Sequence, residues 1–238
     1  MIHYKIIYSR RRSIGIIITP DSEVIVRAPF RTPLRIIESL VESRSTWIRR
    51  HLEKNADRIR INENMEYTDG EYHFFGGRQY PLRIIQSDKS YVKLNDAIEL
   101  GLKDKHDRVK AGIILEKWYK KSARDILEKN FREILDKNKI YDFSPTGFVV
   151  RSMKGRWGSC SSGGRITISS ELIKIDEKYS EYVIIHELCH LKHHNHSSAY
   201  YQLLSDIYPE WKSIRTGLRR YVRSTSHPEP GCSSSTRT

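Results

Sequence analysis

Five of the ten histidines fall between 186 and 196, in the run His186-Glu187-Leu188-Cys189-His190-Leu191-Lys192-His193-His194-Asn195-His196. The first five residues have the H-E-x-x-H spacing, and that spacing needs a helix. At about 100° per residue, His186 and His190 stand roughly 40° apart on a helix face and one turn apart along it. Both imidazoles can then reach one ion at about 2.0–2.1 Å. Glu187 is rotated about 100° from His186. It can therefore sit beside the ion without binding it, and take a proton from a coordinated water. The preceding Tyr182-Val183-Ile184-Ile185 supplies such a helix with a buried entry.

A catalytic zinc takes three protein ligands and keeps one position for water. On an unbroken helix His196 would lie roughly 9 Å beyond His190, and His193 and His194 roughly 4–6 Å beyond it. None would easily share the ion, so the chain has to reverse. Asn195 tolerates the left-handed conformation that ends helices, and a reversal around His194-Asn195 swings His196 back. His196 is the expected third ligand, with His193 and His194 exposed or behind it. Two blander readings remain open. One is a polar histidine patch on a surface helix. The other is a structural zinc, which would need a fourth protein ligand.

Composition sets the wider limits. Lys plus Arg is 42 against 29 Asp plus Glu, a formal charge of +13 on 238 residues. Hydrophobic residues are only 38%, yet 14 Tyr, 6 Phe and 4 Trp can build a core, so one large domain or two small ones are expected. No apolar run approaches the roughly 18 residues a membrane span needs, and no signal-peptide pattern opens the chain. Cys160, Cys189 and Cys232 show no CxxC spacing, which argues for a reducing compartment. A cytoplasmic protein with no membrane partner is expected. The basic balance suits nucleic acid or anionic lipid, or is a solvated basic face.

Along the chain, Tyr4–Tyr8, Ile14–Ile18 and Val24–Ala28 read as strands. A helix follows, with Thr32 as N-cap and Pro33 at its first position, then a second helix around Trp47, Ile48 and Leu52. Gly76-Gly77 between Tyr72–Phe75 and Tyr80–Ile85 signals a hairpin. A long helix opens near Asp107, with Ile113, Ile114, Trp118, Ile126, Leu127, Phe131, Ile134 and Leu135 as its apolar positions. Strands are expected at Phe148–Met153 and Arg165–Ser169, and helices at 177–194, 198–207 and 210–223. The Ser-, Pro- and Gly-rich tail, 224–238, is expected to be disordered.

Two motifs in order carry a resemblance. They are Arg151-Ser152-Met153-Lys154-Gly155-Arg156-Trp157-Gly158-Ser159-Cys160-Ser161 with Arg165-Ile166-Thr167-Ile168, and His186 to His190 with Asn195-His196-Ser197. Together they resemble the YgjP-like metallopeptidase family, which is related to SprT-type and WLM metalloproteases. The resemblance implies an α+β fold. A zincin-like core (106–223), its active-site helix packed on a small mixed sheet, would follow a β-rich N-terminal region with a helix pair (1–105). It also implies a zinc peptidase acting on protein or peptide substrates, with Zn2+ on His186, His190 and His196. Glu187 would be the general base toward a metal-activated water. The sequence departs from the family at Tyr200-Tyr201, where Phe-Trp is usual, and His193 stands where metzincins have a turn glycine.

Other residues have candidate roles. Arg165 to Ser169 reads as an edge strand pairing with substrate, or as a core strand. Trp157 lines the cleft or anchors its loop. Arg156, Tyr200, Tyr201 and His194 are candidates to stabilise the oxyanion, while Cys160 reads as a packing residue. The last helix places Trp211, Ile214, Leu218, Tyr221 and Val222 on an apolar stripe, with Lys212, Arg215, Arg219, Arg220 and Arg223 on a basic one. That basic stripe motivates an alternative, a nucleic-acid-binding protein with a structural or incidental zinc.

Overall fold

A computed structural model describes residues 2–19, 22–56, 59–60, 65–153 and 155–222. The 224–238 tail and Cys232 lie outside them. Two compact units result, one from residues up to Arg60 with those from Arg220, the other from 65 to Arg219.

In the first unit, strands β1 (Lys5–Ser9), β2 (Gly15–Ile18) and β3 (Val24–Pro29) form a mixed sheet in the order β1-β3-β2. Alternation along β3 buries Val24, Val26 and Ala28. They pack with Ile37 and Val41 of α1 (Leu34–Ser43) and Ile48 of α2 (Ser45–Ala56). Helix α1 starts one residue later than expected. Pro33 is its extended N-cap, and Thr32 Oγ1 instead donates to the Pro29 carbonyl at 2.8 Å, closing the turn after β3. The short β4 (Ile59–Arg60) pairs in parallel with β12 (Tyr221–Val222).

In the second unit, β5 (Tyr72–Phe75), β6 (Arg78–Gln86), β7 (Tyr91–Leu94) and β8 (Ile98–Leu102) form a sheet in the order β5-β6-β8-β7. Leu82, Ile98, Leu100 and Leu102 are fully buried, and β7 and β8 pack against α3 (Arg108–Lys137). Sheet and helix thus share a compact unit across residue 105, where the sequence suggests a boundary.

Asp107 caps α3 by accepting from the Lys110 amide at 2.9 Å. The buried stripe of α3 is Ala111, Leu115, Tyr119, Ala123, Leu127, Phe131 and Ile134. Ile113 and Ile126 face solvent instead, 62% and 37% exposed. Steps of four select the core side, and small Ala and amphipathic Tyr fill positions that a search for large aliphatics passes over.

The expected hairpin at Gly76-Gly77 forms, and it supports the active-site helix. Both glycines have positive φ, 57° and 79°, which a two-residue hairpin favours. Their amides donate to the Ile173 and Lys174 carbonyls at 2.8 and 3.2 Å. A side chain at 77 would meet the Asp176 backbone at 2.9 Å. The tip is therefore pinned to the residues that lead into α4 (Glu177–Cys189).

A third sheet has the order β10-β11-β9, from β9 (Gly147–Arg151), β10 (Gly158–Cys160) and β11 (Arg165–Ser169). It is mixed, parallel between β11 and β9 and antiparallel between β10 and β11. Helix α4 packs on β10 and β11, and Phe131 of α3 stacks on Phe148 of β9 at 4.0 Å. This is the α+β arrangement expected, with the H-E-x-x-H helix on a small mixed sheet. Helix α5 (Ser198–Ile207) and the short α6 (Trp211–Leu218) complete the unit. Because α6 ends at Leu218, the expected stripes through residues 219–222 do not lie on one helix, and Arg223 lies outside the described residues. No helix among the described residues is long and apolar enough to cross a membrane.

Candidate active site

Helix α4 is buried along most of its length, including Tyr182, Val183, Ile184, Ile185, Glu187, Leu188 and Cys189. Asp176 caps its start, accepting from the Lys178 amide at 3.1 Å. The helix stops at Cys189, five residues before the expected 194. The chain then reverses through helix-like turns, with Leu191 N–H donating to Leu188 and His193 N–H to Cys189, each at 3.0 Å. Ser197 caps α5 by accepting from the Tyr200 amide at 3.3 Å.

The reversal thus falls where the sequence reading needs it, by a different route. Asn195 is not among the described residues with positive φ. Helix-like turns carry the chain past α4, and it bends at His194 and Asn195, with no left-handed residue there.

The turn brings His196 back over the helix. Its Nε2 lies 3.4 Å from Nε2 of His186, and its ring centroid is 4.8 Å from that of His190. One ligand atom from each of His186, His190 and His196 lies within 4.8 Å of the others, a group able to hold a metal ion. Nδ1 of His190 sits 3.1 Å from the His193 carbonyl. A carbonyl only accepts, so Nδ1 carries the proton and Nε2 is left bare. His193 therefore contributes through its backbone. His194 is exposed.

Electrostatics disfavours the charged forms of His186 and His190. Burial, reinforced by the positive forms of His190 and His196 and by Arg215, holds His186 down to about 3. Burial also lowers His190. Glu187, only 6% exposed, is pushed up to about 7 by burial, against the pull of the Cys160 backbone N–H and of Arg156. Burial raises the Cys160 thiol, with Glu187 adding to the effect.

Strand β10 is what positions Glu187. A β-carbon at Gly158 would come within 2.7 Å of Glu187 Oε1 and 2.9 Å of Val183 Cγ1. Only glycine lets the strand lie this close to the carboxylate. Neither Gly158 nor the Cys160 amide is among the site residues expected from sequence, although a glycine beside Trp157 is a usual sign of close backbone approach.

The remaining candidates divide. Arg156 is exposed and electrostatically coupled to Glu187. Trp157 is half-buried, and its carbonyl accepts from the Ser169 amide at 2.8 Å, tying the loop to the end of β11. Arg165 opens β11 on the side of β9, its side chain 3.9 Å from where a β-carbon at Gly147 would stand. β11 is the central strand of its sheet, so the edge-strand reading of Arg165 to Ser169 is corrected: both of its edges are already paired.

Tyr200 is also corrected. It has no exposed surface, which removes it from contact with a substrate. It lies behind His186, its hydroxyl 2.6 Å from Nδ1 and 3.0 Å from the backbone oxygen of that residue. Tyr201 is half-buried, stacks on Trp211 at 5.1 Å and lies parallel to the His196 ring at 5.9 Å.

A buried helix thus presents two histidines and a glutamate, with a third histidine folded back from the following turn, the three histidines forming a group able to hold a metal ion. The chain belongs to the YgjP-like family, whose metallopeptidase domain matches residues 12–221. No curated protein matches it. Among solved structures, the metallopeptidase zymogen of Pyrococcus abyssi abylysin is similar at 26% identity, covering 39% of this chain and 90% of that one, with a TM-score of 0.34. The metallopeptidase zymogen of Methanocaldococcus jannaschii jannalysin is similar at 22% identity, covering 40% and 94%, with a TM-score of 0.35.

Proposed function

We propose that this metallopeptidase is a zinc enzyme in which His186, His190 and His196 hold the ion and Glu187 is the general base. The observation that carries the reading is the convergence of the three imidazoles. The Nε2 atoms of His186 and His196 face each other at 3.4 Å, beyond the usual hydrogen-bond range of roughly 2.7–3.2 Å. A cation satisfies both lone pairs at once. Three imidazole ligands suit zinc and leave a further position open. When bound, such an ion polarises the scissile carbonyl and acidifies water beside it.

The chain supplies the rest. Glu187 takes the proton of the attacking water and returns it to the departing amine. Its burial raises its proton affinity, and the Cys160 amide orients it. Among the described residues β10 pairs only with β11, so its outer edge offers backbone groups to an extended peptide. On this reading that edge, at Gly158, aligns the substrate, while the Cys160 amide serves Glu187.

The test is metal analysis of the purified protein, with cleavage of an unbiased peptide library by wild type and Glu187→Gln. One zinc per chain and cleavage by wild type alone are expected. Undiminished turnover by a metal-loaded Glu187→Gln protein would overturn the general-base assignment.

A further inference from the structure

An imidazole can serve the ion only through a nitrogen without a proton, so each ligand histidine needs its proton held on the other nitrogen. For His190 the His193 carbonyl does this. For His186 the neighbour of Nδ1 is a hydroxyl, which can donate or accept.

Two distances decide between these. Tyr200 Oη lies 2.6 Å from His186 Nδ1 and 3.0 Å from the His186 carbonyl oxygen. The hydroxyl has one proton, and the carbonyl can only accept it. With that proton on the carbonyl, the phenol oxygen is left as acceptor and Nδ1 must be the donor. The reverse assignment would set two oxygens 3.0 Å apart with no proton between them. Tyr200 has no exposed surface, so water does not replace either partner. The backbone fixes the hydroxyl as well, since Tyr200 lies in the first turn of α5, capped by Ser197.

We propose that Tyr200 is a positioning residue that locks His186 as its Nδ1–H tautomer, so that Nε2 always faces the ion position. It touches neither substrate nor reacting atoms, and acts only through His186. Its second contact, to the backbone of the same residue, fixes ring and main chain together. This inference rests on the metal-site reading above, and its test separates the two.

The experiment uses the full chain and Tyr200→Phe, which keeps the ring and removes the hydroxyl. Two-bond 1H–15N NMR correlations of the metal-stripped wild type are expected to show His186 protonated at Nδ1. In Tyr200→Phe that pattern gives way to a mixture or to Nε2–H. Competition titration with zinc is expected to show affinity about 10–100-fold weaker in the variant. Wild-type His186 protonated at Nε2, or zinc affinity unchanged in a folded Tyr200→Phe, overturns the proposal. If wild type takes up no zinc, the metal reading fails, while the tautomer measured on wild type alone still decides the role of Tyr200.

Discussion

The carboxylate of Glu187 rests against the backbone of Gly158, so closely that a β-carbon there would stand 2.7 Å from Oε1. The same added atom would press on Val183 of α4 at 2.9 Å. A stiff, buried valine cannot swing aside as a surface side chain would. The carboxylate has to move, and the strand has to draw back from Val183.

Gly158→Ala is therefore expected to displace the base while leaving the histidines in place. A misplacement near 1 Å costs about 100-fold in rate. The expected result is a kcat lower by roughly that factor, at unchanged zinc content. Steady-state kinetics with metal analysis on the same preparation checks it, and wild-type kcat would show that the strand accommodates the methyl.

Glu187→Gln keeps the shape of the side chain and removes its ability to take a proton. Hydrolysis is expected to fall by about 100- to 10,000-fold, the usual worth of a positioned base, with zinc retained. The metal-free proteins should also differ in their pH dependence. Glu187 is held at about 7 in the folded chain, against roughly 4.3 when unfolded. Between those values the folded state binds more protons, so wild type loses stability as pH rises through the window. Glutamine does not titrate. The variant is expected to gain on wild type from pH 4.5 to 7 in thermal melts of the chelated proteins, and a constant difference would count against the raised carboxyl.

His196→Ala removes a proposed ligand, whereas His193 acts through its carbonyl. Zinc affinity should fall in His196→Ala by more than the roughly 10–100-fold typical of losing an outer partner. His193→Ala should stay close to wild type. A metal-competition titration ranks them, and the opposite order would remove His196 from the ligand set.

Gly77→Ala tests the support beneath α4. The residue has φ +79°, and an added β-carbon meets the Asp176 backbone at 2.9 Å. Strain of this kind costs about 1–3 kcal/mol. Denaturant unfolding should register that loss, and a neutral effect would mean that the hairpin tip shifts freely.

How much of this was legible depended on whether the signal was local. The H-E-x-x-H spacing places two rings on one face whatever the surrounding fold, and the Gly-Gly pair marks its own turn. Arg165 to Ser169 was equally clear as a strand. Its central position was not, because that depends on Gly158–Cys160, three residues too short to show a period. Tyr200 reads in sequence as an aromatic near the site. Only the return of α5 beneath His186 reveals which way its hydroxyl points. On α3 the aliphatic count favoured Ile113 over Ala111, since side-chain size in a sequence does not tell which face meets a neighbour.

All three imidazoles belong to the short stretch from the end of α4 to the start of α5. An ion held by them would knit that one corner, cross-linking segments already adjacent in the chain. The long α3 and the sheet packed on it bury residues outside that corner, Leu115, Leu127, Leu82 and Ile98 among them. Stripping the metal should then loosen α5 as a local event, visible as faster amide exchange there, and leave the remainder of the unit standing.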